Sequence, residues 1–380
     1  MPWKDKTVEE LRKEFVLAAK ESENFSSLCR EFGISRTTGY KWLERDSQGE
    51  DLCDRSHVPQ TIPGKTASDM EAQILQLRAE NPGWGGRTIR KVLENRGVEG
   101  LPCVKTVNNI LKRNGCIEKA ESEKRERIQR FQREHCNELW QCDFKGDFPL
   151  LDGSRCYPLD ILDDCSRYCL CIEPKPNTLG TMTTFDRVFR EYGLPKSILT
   201  DNGAQFAGFN GGYTKFERWL MDLDVAPIHG RVMHPQTQGK IERFHRTMKN
   251  EILDRLEFSD LKAVVEALEP WRIKYNTIRP HEALDMKCPA EVYRLSEREY
   301  TGAISTYEYE GIYRVIKVNN WGYLRFDQIE VYLSETMANT YLEIRAAEGD
   351  KFQVFYRNYR IAEIDAVEKK LLNRKIVRLP

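Results

Sequence analysis

The spacing of apolar positions changes along the chain, and the changes divide it. From the N-terminus to about residue 60 they recur at helical spacing, ending in the polar, proline-containing stretch 46–63. A second helical pattern runs over 66–117 and gives way to a charge-dense run that reads as a linker helix over 118–138. From 139 to 298 short apolar, strand-like runs alternate with helical ones, which predicts an α/β domain. From 300 to 380 the segments are short and alternating, rich in aromatic and β-branched residues, with Gly and Asn between them. That last pattern predicts a small all-β domain, a barrel-like or sandwich arrangement.

Both helical blocks carry a helix-turn-helix pattern. In the first, residues 25–31 read as a helix, Phe32-Gly33-Ile34 as a turn, and Ser35 as the N-cap of the next helix. Leu28, Phe32, Ile34, Trp42 and Leu43 fall where a three-helix core needs apolar residues, leaving Arg36, Thr37, Thr38, Tyr40 and Lys41 on the outer face. Such a face suits a DNA major groove, and it equally suits the solvated side of an ordinary helical hairpin. In the second block a helix over 70–80 turns through Asn81 to Arg87 into another over 88–95. A third helix, 102–112, turns Val104, Val107, Ile110 and Leu111 inward and Lys105, Thr106, Asn108, Asn109 and Lys112 outward. Together with Arg87 in the turn, these outward residues are candidates for contacts to DNA.

Composition at first argues against such a partner. Over 380 residues, 59 Lys and Arg balance 59 Asp and Glu. The balance is a sum over unlike parts. Residues 61–120 hold ten Lys/Arg against six Asp/Glu, a net of +4, whereas residues 1–60 hold ten against twelve, a net of −2. The second block is therefore basic, as a phosphate-binding surface requires. A hydrophobic content of 40% is enough for packed cores, and no run of about 18 apolar residues suggests a membrane span. The charged, amphipathic start does not read as a signal peptide. Eleven cysteines include no C-x-x-C pair and stand beside no histidine pair at metal-ligand spacing, so they read as reduced thiols of a cytoplasmic protein.

The chemistry concentrates in three acids of the α/β segment. In the strand pattern Trp140-Gln141-Cys142-Asp143-Phe144, alternation puts Trp140, Cys142 and Phe144 on one face and Asp143 on the other. Asp201 follows the apolar run 198–200, the carboxyl end of a strand, where α/β sheets carry their sites. Glu242 opens a helix whose apolar stripe is Ile241, Phe244 and Met248, and the same spacing groups Glu242 with His245, Arg246 and Lys249 on another face. Carboxylate oxygens suit Mg²⁺, and a pair of such ions would serve an in-line displacement at phosphorus. Taken singly, each acid also fits a plain role: Asp-Asn-Gly is a common turn, and a helix-start Glu favours the macrodipole.

The motifs WQCDFKGD, LDDCSRY, TDNGAQF, HPQTQGKIERFHRTMKNE and YNTIRPHEAL, spread over about 139–295, closely resemble the catalytic core of DDE-type insertion-sequence transposases. That core is shared with retroviral integrases and is an RNase H-like fold. The resemblance implies a mixed five-stranded sheet with flanking helices. It also implies Asp143, Asp201 and Glu242 as metal-binding catalytic acids, with two Mg²⁺ ions for which Mn²⁺ can substitute. His234, Gln236, Lys240, Arg243, His245, Arg246 and Lys249 become candidates for contacts to DNA ends. Asp163 and Asp164 match a turn that is structural in this family, and Asp160 is an extra acid on a neighbouring strand. Two departures stand out. Forty residues separate Asp201 from Glu242, slightly more than usual, with the Gly-rich 208–213 as the insertion, and no His/His/Cys/Cys zinc module precedes the core.

The function expected is that of a transposase. It would bind the terminal inverted repeats of a mobile element, free a 3′-hydroxyl and join it to target DNA. It would work as a homo-oligomer, dimer or tetramer, on double-stranded DNA in the cytoplasm at the nucleoid, with no membrane partner. The β-rich tail, with Tyr332, Arg345, Arg357, Tyr359 and Arg360 expected at its surface, would bind DNA or a second subunit. Two other readings compete: a DNA-binding regulator with an inactive core, and a nuclease that cuts without joining.

Overall fold

The computed structural model describes residues 7–55, 66–117, 132–208, 212–230 and 239–379. The chain divides into two compact units, Met1–Lys65 and Thr66–Pro380.

The first unit is built on three helices, α1 (Val8–Glu21), α2 (Phe25–Glu31) and α3 (Arg36–Ser47). Each begins on a side-chain cap. Thr7 and Glu10 form a reciprocal capping box, Asn24 accepts from the Ser27 N–H at 3.1 Å, and Ser35 accepts from the Thr38 N–H at 3.1 Å. The turn between α2 and α3 passes through Gly33 at φ +67°, a conformation glycine adopts without a Cβ clash. Phe15, Val16, Leu28, Cys29, Trp42 and Leu52 form the core. Gly39 lets α3 approach so closely that a Cβ there would lie 2.9 Å from Cys29, Phe15 and Phe25.

The second unit opens with α4 (Ser68–Glu80), α5 (Gly86–Asn95) and α6 (Val104–Arg113) around Ile74, Leu77, Trp84, Ile89, Val107 and Ile110. The end of the expected linker helix departs from prediction: residues 132–138 are bends and turns, and 118–131 lie outside the described residues. Asn137 at φ +61° shows why no helix persists there. Its N–H donates to Asp163 at 2.8 Å, tying the chain to the sheet.

The central sheet comprises β1 (Trp140–Phe144), β4 (Leu159–Asp163), β5 (Cys169–Glu173), β6 (Ser197–Thr200) and β7 (Ala226–His229). A short hairpin, β2 (Phe148–Pro149) and β3 (Arg155–Cys156), lies between β1 and β4 in sequence. The order across the sheet is β5-β4-β1-β6-β7, with β5, β4 and β1 antiparallel and β1, β6 and β7 parallel. This is the mixed five-stranded sheet expected of an integrase-like core. One face packs Trp140, Cys142, Leu159, Ile161 and Ile198 against α7 (Thr181–Tyr192) and α8 (Lys215–Asp222). The other face meets α9 (Gly239–Met248), a π-helical turn Lys249–Leu253 and α10 (Leu261–Thr277) through Leu162, Cys169, Phe244, Met248, Leu268 and Tyr275. A one-turn helix, α11 (Pro289–Val292), closes the core.

The tail is all β. Strands β8 (Arg314–Lys317), β11 (Tyr341–Ala347), β12 (Lys351–Tyr356), β13 (Tyr359–Asp365) and β14 (Lys370–Arg378) form one antiparallel sheet. The hairpin β9 (Tyr323–Phe326) and β10 (Ile329–Tyr332) shares its apolar cluster. Alternation within β9 and β10 follows exposure residue by residue, with Leu324, Phe326, Ile329 and Val331 inward. Tyr359, expected at the surface, is fully buried, because β13 is an inner strand of this sheet. Arg357 is also turned inward, 3.0 Å from Asp222 of α8. Arg360 is only partly exposed and pairs with Glu363 at 2.6 Å. All eleven cysteines are free thiols, and seven are buried. No described helix is long and apolar enough to cross a membrane.

Candidate active site

Register assembles the site. β1 pairs with β6 in parallel, Trp140 opposite Ile198 and Gln141 opposite Leu199, so the same register carried on two residues brings Asp143 level with Asp201. On its other side β1 places Asp143 directly across from Asp160 of β4. Paired residues on adjacent strands point to the same face, and here that face is the one covered by α9. Asp160, Asp143 and Asp201 therefore form a row of three acids across the middle of the sheet.

The row shapes its own electrostatics. Burial pushes the Asp143 carboxyl up to about 6, and the charges of Asp201 and Asp160 push the same way against the downward pull of His245. Asp201 is partly buried, and its carboxylate accepts from the Gly203 N–H at 3.0 Å, which shapes the turn that follows the strand. Behind that turn the Asn202 side chain donates to the Gly230 carbonyl at 2.9 Å. Thr200, His229 and Glu217 continue in a chain of contacts at 3.1 and 2.9 Å. His229 and Glu217 were missed by sequence reasoning, since neither sits in a motif and they meet only when β7 pairs with β6.

Helix α9 brings the third acid. Its first turn is fastened to the sheet by two contacts: the Ile241 N–H donates to Gln141 at 3.2 Å, and the Lys240 ammonium pairs with Asp164. Asp164 is fully buried and also accepts from Gln141 at 2.7 Å and the Arg133 N–H at 2.8 Å. Asp163 binds the Ser166 N–H at 2.8 Å and the Ser166 hydroxyl at 2.6 Å, a turn-forming role. Glu242 is exposed on α9. Its carboxylate is not closed onto the two aspartates. Among the described residues, only Glu9, Asp51 and Cys53 bring three acidic or thiol ligand atoms within 4.8 Å of one another. That N-terminal trio is a hydrogen-bonded cluster, in which the Cys53 thiol is pushed up to about 11 by donating to Glu9 and Asp51.

The candidate DNA contacts divide. Arg243, Arg246 and Lys249 are exposed on α9, with Lys249 paired to Asp254. Lys240 and His245 do not face outward, contrary to expectation. Lys240 is committed to Asp164, with burial lowering its ammonium to about 8, and His245 is 8% exposed beneath the acid row. Helical spacing groups His245 with the polar face, yet buried carboxylates on β1 and β4 draw it to the sheet. His234 and Gln236 lie outside the described residues. In the helical blocks Arg36, Thr37, Tyr40 and Lys41 are exposed, as are Arg87, Lys105, Asn108, Asn109 and Lys112. Thr38 and Thr106 are half-buried, Thr38 bonding its cap Ser35 and Thr106 bonding Cys103. The Asn108 side chain is partly spent, accepting from the Gly86 N–H at 3.2 Å. Arg87 reaches Glu282 at 3.2 Å.

Comparison with known proteins agrees with the fold. Two family models, both described as integrase core domain, match residues 133–235 and 223–289. The chain is 24% identical over 282 residues to an uncharacterized 31.7 kDa protein of insertion element IS407 from Burkholderia multivorans, covering 72% of this chain and 92% of the relative. It is 26% identical to the transposase InsD of insertion element IS2 from Escherichia coli, covering 60% and 79%. The transposase of transposon Tn552 from Staphylococcus aureus is also 26% identical, covering 64% of this chain and 55% of its own length. The motif set, the integrase-core matches and these relatives agree: residues 133–289 carry an integrase core domain like that of the insertion-sequence transposases, and the chain is an enzyme of the DDE polynucleotidyl transferase type.

Proposed function

We propose that this enzyme binds the terminal inverted repeats of its element, cleaves there to leave a 3′-hydroxyl, and joins that hydroxyl to target DNA. The observation that carries the reading is the juxtaposition of Asp143 on β1 and Asp201 just past the end of the parallel strand β6, under the helix that carries Glu242. Neighbouring carboxylate oxygens are a donor set suited to hard divalent cations, and burial, with the charges of Asp201 and Asp160, raises the Asp143 carboxyl, a cost that a bound cation would offset. Asp143, Asp201 and Glu242 would hold two Mg²⁺ ions, or Mn²⁺ in their place. Bound there, the ions supply Lewis acidity for an in-line displacement at phosphorus. The protein's own part is positioning. Gln141 and Asp164 hold the first turn of α9 on the sheet, and Arg243, Arg246 and Lys249 offer cations to backbone phosphates beside the acids.

The exposed faces of α3 and α6 would read the element ends, Arg36, Thr37, Tyr40 and Lys41 in one, Lys105, Asn109 and Lys112 in the other. Two ends handled together imply a homo-oligomer. The test uses a duplex carrying one element end and a target duplex, with Mg²⁺. Asp143→Asn, Asp201→Asn and Glu242→Gln should each lower cleavage and joining about a thousandfold or more while leaving end binding intact. Undiminished joining in any of them would sink the assignment. End binding by the wild type with no cleavage in Mg²⁺ or Mn²⁺ would mark a regulator, and cleavage with no joining of a pre-cut 3′-hydroxyl would mark a nuclease.

A further inference from the structure

Asp160 has no role in the reading above, yet it is the most deeply buried acid of the site. Its side chain is wholly inaccessible, on the sheet face whose neighbours Leu162, Phe244 and Met248 are apolar. A carboxylate in such a place costs several kcal/mol unless it is paired. One group meets it: His245 Nε2 lies 2.8 Å from Asp160 Oδ2. The approach is a close contact rather than an aligned hydrogen bond, since both Asp160 oxygens and His245 Nε2 lack a partner of good hydrogen-bond geometry. The other imidazole nitrogen, Nδ1, lies 3.9 Å from Asp143 Oδ2. A single imidazole is thus clasped between two carboxylates that face each other across β1 and β4. His245 also lies on α9 three residues beyond Glu242, about one helical turn along the helix.

We propose that Asp160 is a positioning residue for the metal-binding acids, acting through His245. Its carboxylate anchors the imidazole at the sheet. The anchored imidazole sets the rotation of α9, and so the placement of Glu242, while its Nδ1 edge borders Asp143. An apolar residue at 160 would pack against α9 but would leave the imidazole without its polar partner on the sheet. The inference rests on the reading of Asp143, Asp201 and Glu242 as metal ligands.

The full-length chain provides the test, in four variants: Asp160→Asn, His245→Asn, the apolar pair D160L/H245M, and Asp143→Asn as reference. Manganese binding is followed by the loss of the free-ion paramagnetic resonance signal, and joining of a pre-cut 3′-hydroxyl end is followed at saturating DNA. The apolar pair removes both buried polar partners together and should fold at least as well as the wild type. It should nevertheless bind Mn²⁺ about tenfold more weakly and join about tenfold more slowly, with affinity for the DNA end unchanged. Asp160→Asn and His245→Asn should show losses similar to the pair, not half of it, because the two residues act as one unit. Wild-type manganese affinity and joining rate in the folded apolar pair, with Asp143→Asn impaired, would overturn the positioning role and leave the proposed function standing. Wild-type behaviour in Asp143→Asn as well would overturn both.

Discussion

At the scale of single residues, Asp143 shows the cost of a buried acid beside other acids, a cost that the proposed metal would remove. Its carboxyl titrates near 6 in the folded chain, and an unfolded aspartate titrates near the ordinary value of 3.8. The folded state therefore binds the proton more tightly, and ionising the group costs stability as pH rises through the window from about 4 to 6. A rise from 3.8 to about 6 corresponds to about 3 kcal/mol, and the side chain is only 19% exposed, so solvent screening removes little of that. Above pH 6, without divalent ions, Asp143→Asn should stabilise the protein by about 2–3 kcal/mol. The gain should disappear near pH 4, where the wild-type carboxyl is protonated. It should also shrink when Mg²⁺ is added, because only the aspartate regains its counter-charge. Denaturant titrations at pH 4 and pH 8, with and without Mg²⁺, measure all three effects. A variant no more stable than the wild type at pH 8 in chelator would show that the acid row is not strained.

At the scale of elements, α9 separates what a sequence displays from what only a fold supplies. Its apolar stripe, Ile241, Phe244 and Met248, is legible from spacing, and all three are buried. The cap of α3 and the strand of Asp143 were equally legible, since each depends on neighbours a few residues away. Lys240 and His245 were not. Spacing puts His245 on a polar helix face and the resemblance makes Lys240 a candidate DNA contact, yet both turn to carboxylates, Asp164 and Asp160, that lie about 80 residues earlier in the chain. No local pattern encodes such a partner. The buried Tyr359 was misplaced because alternation tells two faces of a strand apart but not which strands end up inside a sheet, and Arg357, in the turn between β12 and β13, turns inward to Asp222 of α8, which no local pattern encodes. The anchoring of α9 yields a prediction of its own. Lys240→Met leaves Asp164 buried without its ammonium and should destabilise the protein by about 3 kcal/mol. The double variant K240M/D164N, which removes both charges but keeps an amide oxygen as acceptor for the Gln141 and Arg133 N–H groups, should recover part of that loss. Thermal unfolding of the two variants measures it, and equal losses in both would mean that the pair is not what holds the first turn.

At the scale of the whole molecule, the sequence suggested five parts and the contacts make two units. The reason lies in a few side chains at the edge of the core. Tyr213, from the Gly-rich insertion, is 4% exposed within the apolar cluster of the tail, and its hydroxyl donates to the Ile361 carbonyl at 2.6 Å. Met221 of α8 is fully buried in the same cluster. Two ion pairs join the same surfaces, Asp222 with Arg357 at 3.0 Å and Asp224 with Arg378 at 2.5 Å. The β-rich tail is thus part of the structural support of the core, whatever else it binds. A fragment of residues 66–380 should unfold cooperatively at the temperature of the same unit in the full chain. A fragment ending at residue 300 would return Tyr213 and Met221 to water, about 2 kcal/mol each, and leave Asp222 and Asp224 without their arginines. Its midpoint should fall by about 10 °C, or the fragment should collect in the insoluble fraction. Restoring residues 301–380 as a separate chain should raise the midpoint again if docking at Tyr213 is the cause. A fragment ending at residue 300 that is as stable as the longer one would show that the core closes without its tail.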